Sequence, residues 1–301
     1  MARWGIVSTV KAPQEQLLAF IAHHLALGAA RIWIYFDDPA DAAIATVSRL
    51  PRVKAVRCTG LYWALRGGRP PKLHNRQIAN AIHAQRRCRL DWLGHIDTDE
   101  FIHADRPVAE ILAKVPVGMP NLLMEPFEAI HDPDLPDDIF TARHFRAALG
   151  PSHPDLHAAV FGPVADVVAK GNLSHTIGKS FCRIGVPGVK IGLHEVFRDR
   201  KPLRTTFHPD LRILHFHAQD PVAWRSILPF RLDGGAYHFD AETRLRSYLA
   251  GASDEAISAF YAQTMTLTPQ KIALLQEHGR LITADLGLRS KAAALLERRK
   301  G

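Results

Sequence analysis

Two acidic residues one position apart, Asp97 and Asp99, follow the apolar run Leu90 to Ile96 and precede Glu100, Phe101 and Ile102. In extended or turning backbone, alternate residues share a face. Two carboxylates on one side make a hard oxygen site that suits Mg²⁺ or Mn²⁺. A metal held there can bridge diphosphate oxygens and neutralise a departing nucleotide. Exposed turns produce this spacing by chance, but they are rarely flanked on both sides by core-type residues, as this one is.

Other residue groups admit two readings each. Asp37-Asp38-Pro39 is either a strand-to-helix turn with an N-cap or a carboxylate that accepts from the base or ribose of a nucleotide. Lys72, His74, Asn75, Arg76 and Gln77 open a long helical run after Gly67-Gly68. Cationic and amide groups at a helix start suit a phosphate; a solvated helix start reads the same way. His215 and His217 close an apolar strand and share a face, which makes His215 a candidate third metal ligand beside two carboxylates, since imidazole suits Mn²⁺. Lys179 begins a strand after Gly178 and is placed to meet a diphosphate, and His194-Glu195 ends another short strand.

The elements that must position these groups alternate. Strand-like runs at Arg3 to Val10, Arg31 to Phe36, Val53 to Val56 and Leu90 to Ile96 are separated by helical patterns at Gln14 to Leu27, Ala40 to Leu50 and Leu73 to Cys88. This order predicts an α/β fold with a mixed, mostly parallel sheet and helices on both faces. In such sheets ligands bind beyond the carboxyl ends of the strands, where Asp37-Asp38 and Asp97 to Glu100 both fall. The stretch Glu125 to Ser174 is rich in Pro, Asp and His, and reads as long loops with short elements, expected to act as a mobile lid. Short strands return from Lys179 onward, and the chain beyond Pro221 reads as helical.

Composition narrows the function classes. The 301 residues suffice for one large domain or two small ones, and 47% hydrophobic residues can fill a core. The net charge of +8 suits an anionic ligand, an acidic membrane surface or nucleic acid. The cations are dispersed and no nucleic-acid recognition motif occurs. Three cysteines without a C-x-x-C pair argue against a disulfide framework or a thiolate zinc site, and fit a reduced, cytoplasmic protein. No apolar run reaches the roughly 18 residues of a membrane span, and the start of the chain carries no leader-like pattern. Membrane contact is therefore expected to be peripheral. The basic end, with Arg289, Lys291, Arg298, Arg299 and Lys300, flanks the apolar run Ala292 to Leu296. It reads either as a frayed terminal helix or as a weak contact with anionic lipid at the inner face of the membrane.

Several of these segments resemble glycosyltransferase family 2-like proteins of the GT-A type, in the branch related to family 92. The opening is Lys11 to Glu15, Phe20 to His24, Leu27-Gly28 and Ile34 to Asp38. Trp92 to Ile102 is similar to the branch's metal segment. Gly178 to Phe181, His194, His215-Phe216 and Trp224 are similar to its later landmarks. Ala12-Pro13 and Phe20 depart from the pattern. The resemblance implies a GT-A-like fold over residues 1–230, with a nucleotide-sugar half at 1–124, an acceptor and metal-closing half at 125–230, and a helical extension at 231–301. It implies a nucleotide-diphosphate sugar donor, a glycan or lipid-linked acceptor, and Mn²⁺ or Mg²⁺. Lys11, Asp37, Asp38, Lys72, Gln77, Asp97 and Lys179 would bind the donor, and Asp97, Asp99 and His215 the metal. An inverting reaction needs a carboxylate base; Glu128, Asp132 and Glu195 are the candidates. The competing readings are a nucleotidyltransferase, disfavoured because residues 8–16 hold no glycine, and a non-catalytic carbohydrate-binding protein.

Overall fold

The computed structural model describes residues 1–135, 140–233, 237 and 243–297. In chain order the elements are β1 (Trp4–Val10), α1 (Gln14–Ala26), β2 (Arg31–Phe36), α2 (Ala43–Val47), β3 (Val53–Arg57), α3 (Gly60–Ala64), α4 (Leu73–Gln85), β4 (Trp92–His95), β5 (Glu100–Ala104), α5 (Val108–Lys114), β6 (Asn121–Ala129) and β7 (His144–Ala147). There follow α6 (Pro154–Phe161), β8 (Lys179–Arg183), β9 (Val189–Ile191), β10 (Val196–Arg198), β11 (Lys201–Pro202), β12 (Phe207–His215), α7 (Pro221–Asp233), α8 (Thr243–Ala250), α9 (Asp254–Met265), α10 (Pro269–Glu277), β13 (Leu281–Thr283) and α11 (Leu288–Glu297).

The chain forms two compact units. One holds Met1–Glu125, Ile177–Ile213 and Gly287–Gly301; the other holds Pro126–Thr176 and Leu214–Leu286. This division differs from the linear one expected from the sequence. The chain leaves the first unit within β6, returns before β8, and returns again for α11.

In the first unit β1 pairs in parallel with β2 and with β4, and β2 pairs in parallel with β3. Strand β8 runs antiparallel to β4 and to the first residues of β6. The fold class is therefore α/β with a mixed sheet, parallel from β4 through β1 and β2 to β3. All seven residues of β1 are buried, as expected of a strand covered on both faces. Each fully buried Ile or Val there contributes about 1.5–3 kcal/mol. Helix α1 buries Leu17, Leu18, Phe20 and Ile21. It also buries His23 and His24, which bond the Ile102 carbonyl and the Ile102 N–H of β5 at 2.8 and 3.2 Å. Helix α11 packs on α1, with Lys291 Nζ 3.4 Å from His23 Nδ1. Lys291 is thus turned toward the protein, while Arg298, Arg299 and Lys300 lie outside the described residues. A small antiparallel sheet, β9–β10–β11, stands apart from the large one.

The second unit is built on antiparallel pairing of the end of β6 with β7, and of β7 with β13. Its core gathers Val160 and Phe161 of α6, Trp224 of α7, Phe260, Tyr261 and Met265 of α9 and Leu275 of α10. The short elements expected in the stretch Glu125 to Ser174 are the end of β6, β7 and α6, and they supply part of a packed core. Their signal is obscured because the strands are short and interrupted by proline and histidine. Among the described residues no helix is long and apolar enough to cross a membrane.

Candidate functional site

The site builds up from the carboxyl ends of β2 and β4 in the first unit. After β4 the chain turns tightly through Asp97-Thr98-Asp99. The Asp97 N–H donates to Glu100 Oε2 at 2.8 Å, and the Glu100 N–H returns to the Asp97 carbonyl at 3.1 Å. This reciprocal pair has the logic of a capping box, and the D-x-x-E spacing that makes it is visible in the sequence. It fixes Glu100, which is fully buried and was not among the expected site residues.

Lys179 fills the space between the two acids. Its Nζ donates to Asp97 Oδ2 at 2.6 Å and stands 3.2 Å from Glu100 Oε2. The lysine has no exposed surface, whereas the Asp97 side chain is 31% exposed. Burial alone would lower the Lys179 pKa, but Asp97 and Glu100 reverse this and hold it above its ordinary value. Burial likewise would raise Asp97, yet Lys179 brings it well below the usual carboxylate range. Gly178 aims the lysine. It adopts φ +82°, and a Cβ there would sit 2.2 Å from the Met124 carbonyl, so both conformation and space require glycine. His194 Nδ1 bonds the Gly178 carbonyl at 3.0 Å and steadies the same turn. Buried His95, at the end of β4, donates from Nδ1 to the Gly192 carbonyl at 2.7 Å. Burial and the neighbouring Lys179 lower its pKa.

Helix α4 joins this cluster to the second acidic turn. Gln77 Nε2 donates to Asp97 Oδ1 at 2.7 Å. Its neighbour Arg76 makes a two-pronged contact with Asp37, Nε to Oδ1 at 2.9 Å and NH2 to Oδ2 at 3.0 Å. Arg69 adds a third donor at 3.0 Å. Arg76 also holds the carbonyls of Pro70 and Pro71, which fixes the loop carrying Arg69. One turn further along α4, buried Asn80 donates to Thr9 of β1 at 2.9 Å and accepts from Tyr62 at 2.7 Å, so the helix is pinned to the sheet by polar contacts. Lys72 occupies the exposed N-cap position of α4 without a side-chain cap bond.

An open cleft of about 720 Å³ lies at these strand ends, lined by Lys11, Asp37, Asp38, Trp63 and Arg69 among others. The indole N–H of buried Trp63 has no hydrogen-bond partner among the described residues. Asp38 accepts from the Ala40 N–H at 2.8 Å, as a turn aspartate does. The cleft is therefore lined by two cations and two carboxylates, with one aromatic wall.

The structure brings Lys11, Asp37 and Asp38 together at this cleft, and Gln77, Asp97 and Lys179 in one bonded cluster. Asp99 follows Asp97 in the same tight turn. Glu195 is half-buried in the turn where its carbonyl accepts from the Gly192 N–H at 2.9 Å. Glu128, Asp132 and His215 belong to the second unit. Glu128 is fully buried and accepts from the Leu173 and Ser174 N–H groups at 3.1 and 2.7 Å and from Arg146 at 3.4 Å. Asp132 accepts from Arg143 at 2.9 Å and from the Asp134 N–H at 3.1 Å. His215 lies beside His175 and His217, with ring centroids 5.0 and 5.3 Å away in tilted and edge-on contacts. Arg69, Trp63 and Glu100 were missed by the sequence reading. Only the D-x-x-E spacing of Glu100 offered a signal.

No protein-family model and no curated protein matches the sequence. Parts of three solved structures are similar to it. HddC from Yersinia pseudotuberculosis is 11% identical, with a TM-score of 0.29 over 44% of this chain and 60% of that one. CMP:2-keto-3-deoxy-manno-octonic acid synthetase complexed with CTP is 15% identical, with a TM-score of 0.27 over 43% and 54%. TarS from S. aureus is 10% identical, with a TM-score of 0.37 over 99% and 55%. The chain thus spans between about half and three-fifths of their lengths. Scores this low carry no argument about activity, and the site is read from its own geometry.

Proposed function

We propose that the chain is a metal-dependent glycosyltransferase of the GT-A type, moving a sugar from a nucleotide-diphosphate donor to a glycan or lipid-linked acceptor. The observation that carries this reading is the pair Arg76-Gln77. Through adjacent residues of one helix the acidic ends of β2 and β4 are tied together beside the cleft that Lys11 and Arg69 line. Such a crevice at the carboxyl ends of parallel strands suits a nucleotide. In this reading the base and ribose lie against Trp63 and Asp38, and Lys11 and Arg69 face the diphosphate. Asp37 acts chiefly by holding the two arginines.

The donor set suits Mn²⁺ or Mg²⁺. Three carboxylates, Asp97, Asp99 and Glu100, stand with one ammonium, Lys179. Three negative charges less one positive leave the segment two negative, which a divalent cation balances, and oxygen donors favour these hard ions. Asp97 is already paired with Lys179 and accepts from Gln77, and Asp97 and Asp99 are together assigned to the metal. When bound, the ion would supply Lewis-acid stabilisation of the leaving diphosphate. Lys179 fixes the orientation of Asp97 and limits the negative charge that the diphosphate meets. Of the three candidate bases, Glu128 and Asp132 are engaged by arginines, and Glu195 is the one we assign to the acceptor hydroxyl of an inverting reaction.

Calorimetry tests the donor site. Uridine diphosphate, or another nucleoside diphosphate, is expected to bind at least tenfold more weakly in chelator than in Mn²⁺. Equal affinity in both buffers overturns the metal reading. A nucleotidyltransferase would instead consume a nucleoside triphosphate and release pyrophosphate.

His215 is tested separately. If it is a metal ligand, His215→Ala weakens Mn²⁺ binding while the circular dichroism spectrum and Tm stay near those of the parent. His217→Ala should affect Mn²⁺ binding less, because His217 is engaged by Tyr237 at 3.2 Å. An unchanged metal titration for His215→Ala assigns that histidine a packing role.

A further inference from the structure

Apart from its 192–195 turn, which carries Glu195 and the Gly192 carbonyl, the small sheet β9–β11 takes no part in the site above, and its surface is rich in cations. Lys190, Arg198, Arg200, Lys201 and Arg204 are exposed on it and beside it, against one exposed acid, Asp199. None of the five cations forms an ion pair with a described residue. Like charges this close repel one another, so the arrangement favours an anion from outside.

The hairpin tip is unusual in its backbone. Arg198 pairs with Lys201 across the two-residue turn Asp199-Arg200, and both turn residues are left-handed, with φ 51° and 68°. Tight hairpins of this kind prefer Asn-Gly, because glycine meets positive φ without strain. Here an arginine occupies the glycine position, and strain of this kind is often kept where a side chain has a role.

Beside the tip runs a groove of about 650 Å³ between α4 and the hairpin. Its apolar lining is Ile78 and Ile82, one turn apart on α4, with Phe197, while Ile191 beside them is buried in the core. Exposed Lys190, Asp199 and Arg200 also line it, two cations against one acid. Lys190 lies opposite Phe197 in the register, so the cation and the aromatic ring share a face. Gly192 keeps the groove open under Phe197, since a Cβ there would come within 2.6 Å of the ring.

An apolar lining beside exposed cations fits a ligand with both characters. A soluble anion would use the cations and leave the apolar lining wet. Nucleic acid would call for several stacking rings, and only Phe197 is present. We propose that this groove and hairpin dock the protein on an acidic phospholipid surface, with a lipid phosphate on Lys190 and Arg200 and the upper part of an acyl chain over Ile78, Ile82 and Phe197. The proposal does not rest on the glycosyl-transfer reading. It places the membrane contact on the hairpin and away from the C-terminal helix, where Lys291 faces His23.

The test is co-sedimentation of the full chain with phosphatidylcholine vesicles, with and without phosphatidylglycerol. Binding is expected only with phosphatidylglycerol, and should fade at about 1 M salt, where the Debye length is about 3 Å. The double variant Lys190→Gln, Arg200→Gln should lose about tenfold or more in partitioning, given what each cation contributes near an acidic surface. A control double variant, Arg49→Gln, Lys54→Gln, removes the same charge from exposed positions elsewhere in the unit and should partition as the parent does. Soluble glycerol phosphate should not displace the protein. Equal loss in the control, binding to neutral vesicles, or displacement by glycerol phosphate each overturns the proposal.

Discussion

Lys179→Met is expected to lower the unfolding free energy by about 3–5 kcal/mol, the usual cost of breaking a buried ion pair by removing one partner. Methionine fills a similar volume, so the loss is electrostatic. It leaves Glu100 buried without its cation, while Asp97, being 31% exposed, recovers part of its loss from water. Thermal unfolding should show this as a Tm lower by about 10 °C. The double variant Lys179→Met, Glu100→Gln should regain part of the loss, because the charge left behind is removed.

The pH dependence has a definite sign. Burial pushes the Asp97 pKa up, but Lys179 outweighs it and holds the carboxyl below the ordinary aspartate value of 3.8. The stabilisation is therefore complete above that pH and is lost as acid protonates the folded-state carboxylate. Without Lys179 the Asp97 carboxylate loses its partner and protonates more readily. The gap in Tm between parent and variant should then narrow as pH falls toward and below 3.8. A gap that is constant with pH, or a variant as stable as the parent at neutral pH, would show that Lys179 is not the electrostatic centre of the cluster.

Arg146→Met should cost about as much in the second unit. Arg146 and Glu128 have no exposed surface. The arginine donates to Glu128 at 3.4 Å and to the Thr264 carbonyl at 2.8 Å, with its guanidinium 4.6 Å from the Phe161 ring centre. Burial pulls the Arg146 pKa down, and Glu128 pushes it back. Removing the arginine leaves a fully buried carboxylate with only the two backbone donors of Leu173 and Ser174, a loss of about 3–5 kcal/mol. Glu128→Gln keeps acceptor capacity and should cost less. The double replacement Glu128→Leu, Arg146→Met removes both charges and should be closer to the parent than Arg146→Met alone. Chemical denaturation of the three variants checks the order. If Glu128→Gln instead abolished sugar transfer while leaving stability unchanged, Glu128 would be a catalytic base and not a tie between β6 and the 171–174 turn.

The sequence by itself determined the alternation of strands and helices in the first hundred residues. Strongly apolar runs such as Trp4 to Val10 and Arg31 to Phe36 carry a local signal that survives in the folded sheet. It also placed Asp37 and Asp97 at strand ends, because an acidic pair directly after a buried strand can lie nowhere else. It did not reveal how the chain divides. The return of α11 to α1 and the packing of residues 126–176 with residues 214–286 depend on contacts between segments far apart in the chain, and no local pattern encodes these. The ion pairs were hidden for the same reason. Lys179 and Asp97 are 82 positions apart, and Arg76 and Asp37 are 39 apart. Their charges looked like ordinary surface residues until burial in a common low-dielectric space made each the necessary partner of the other.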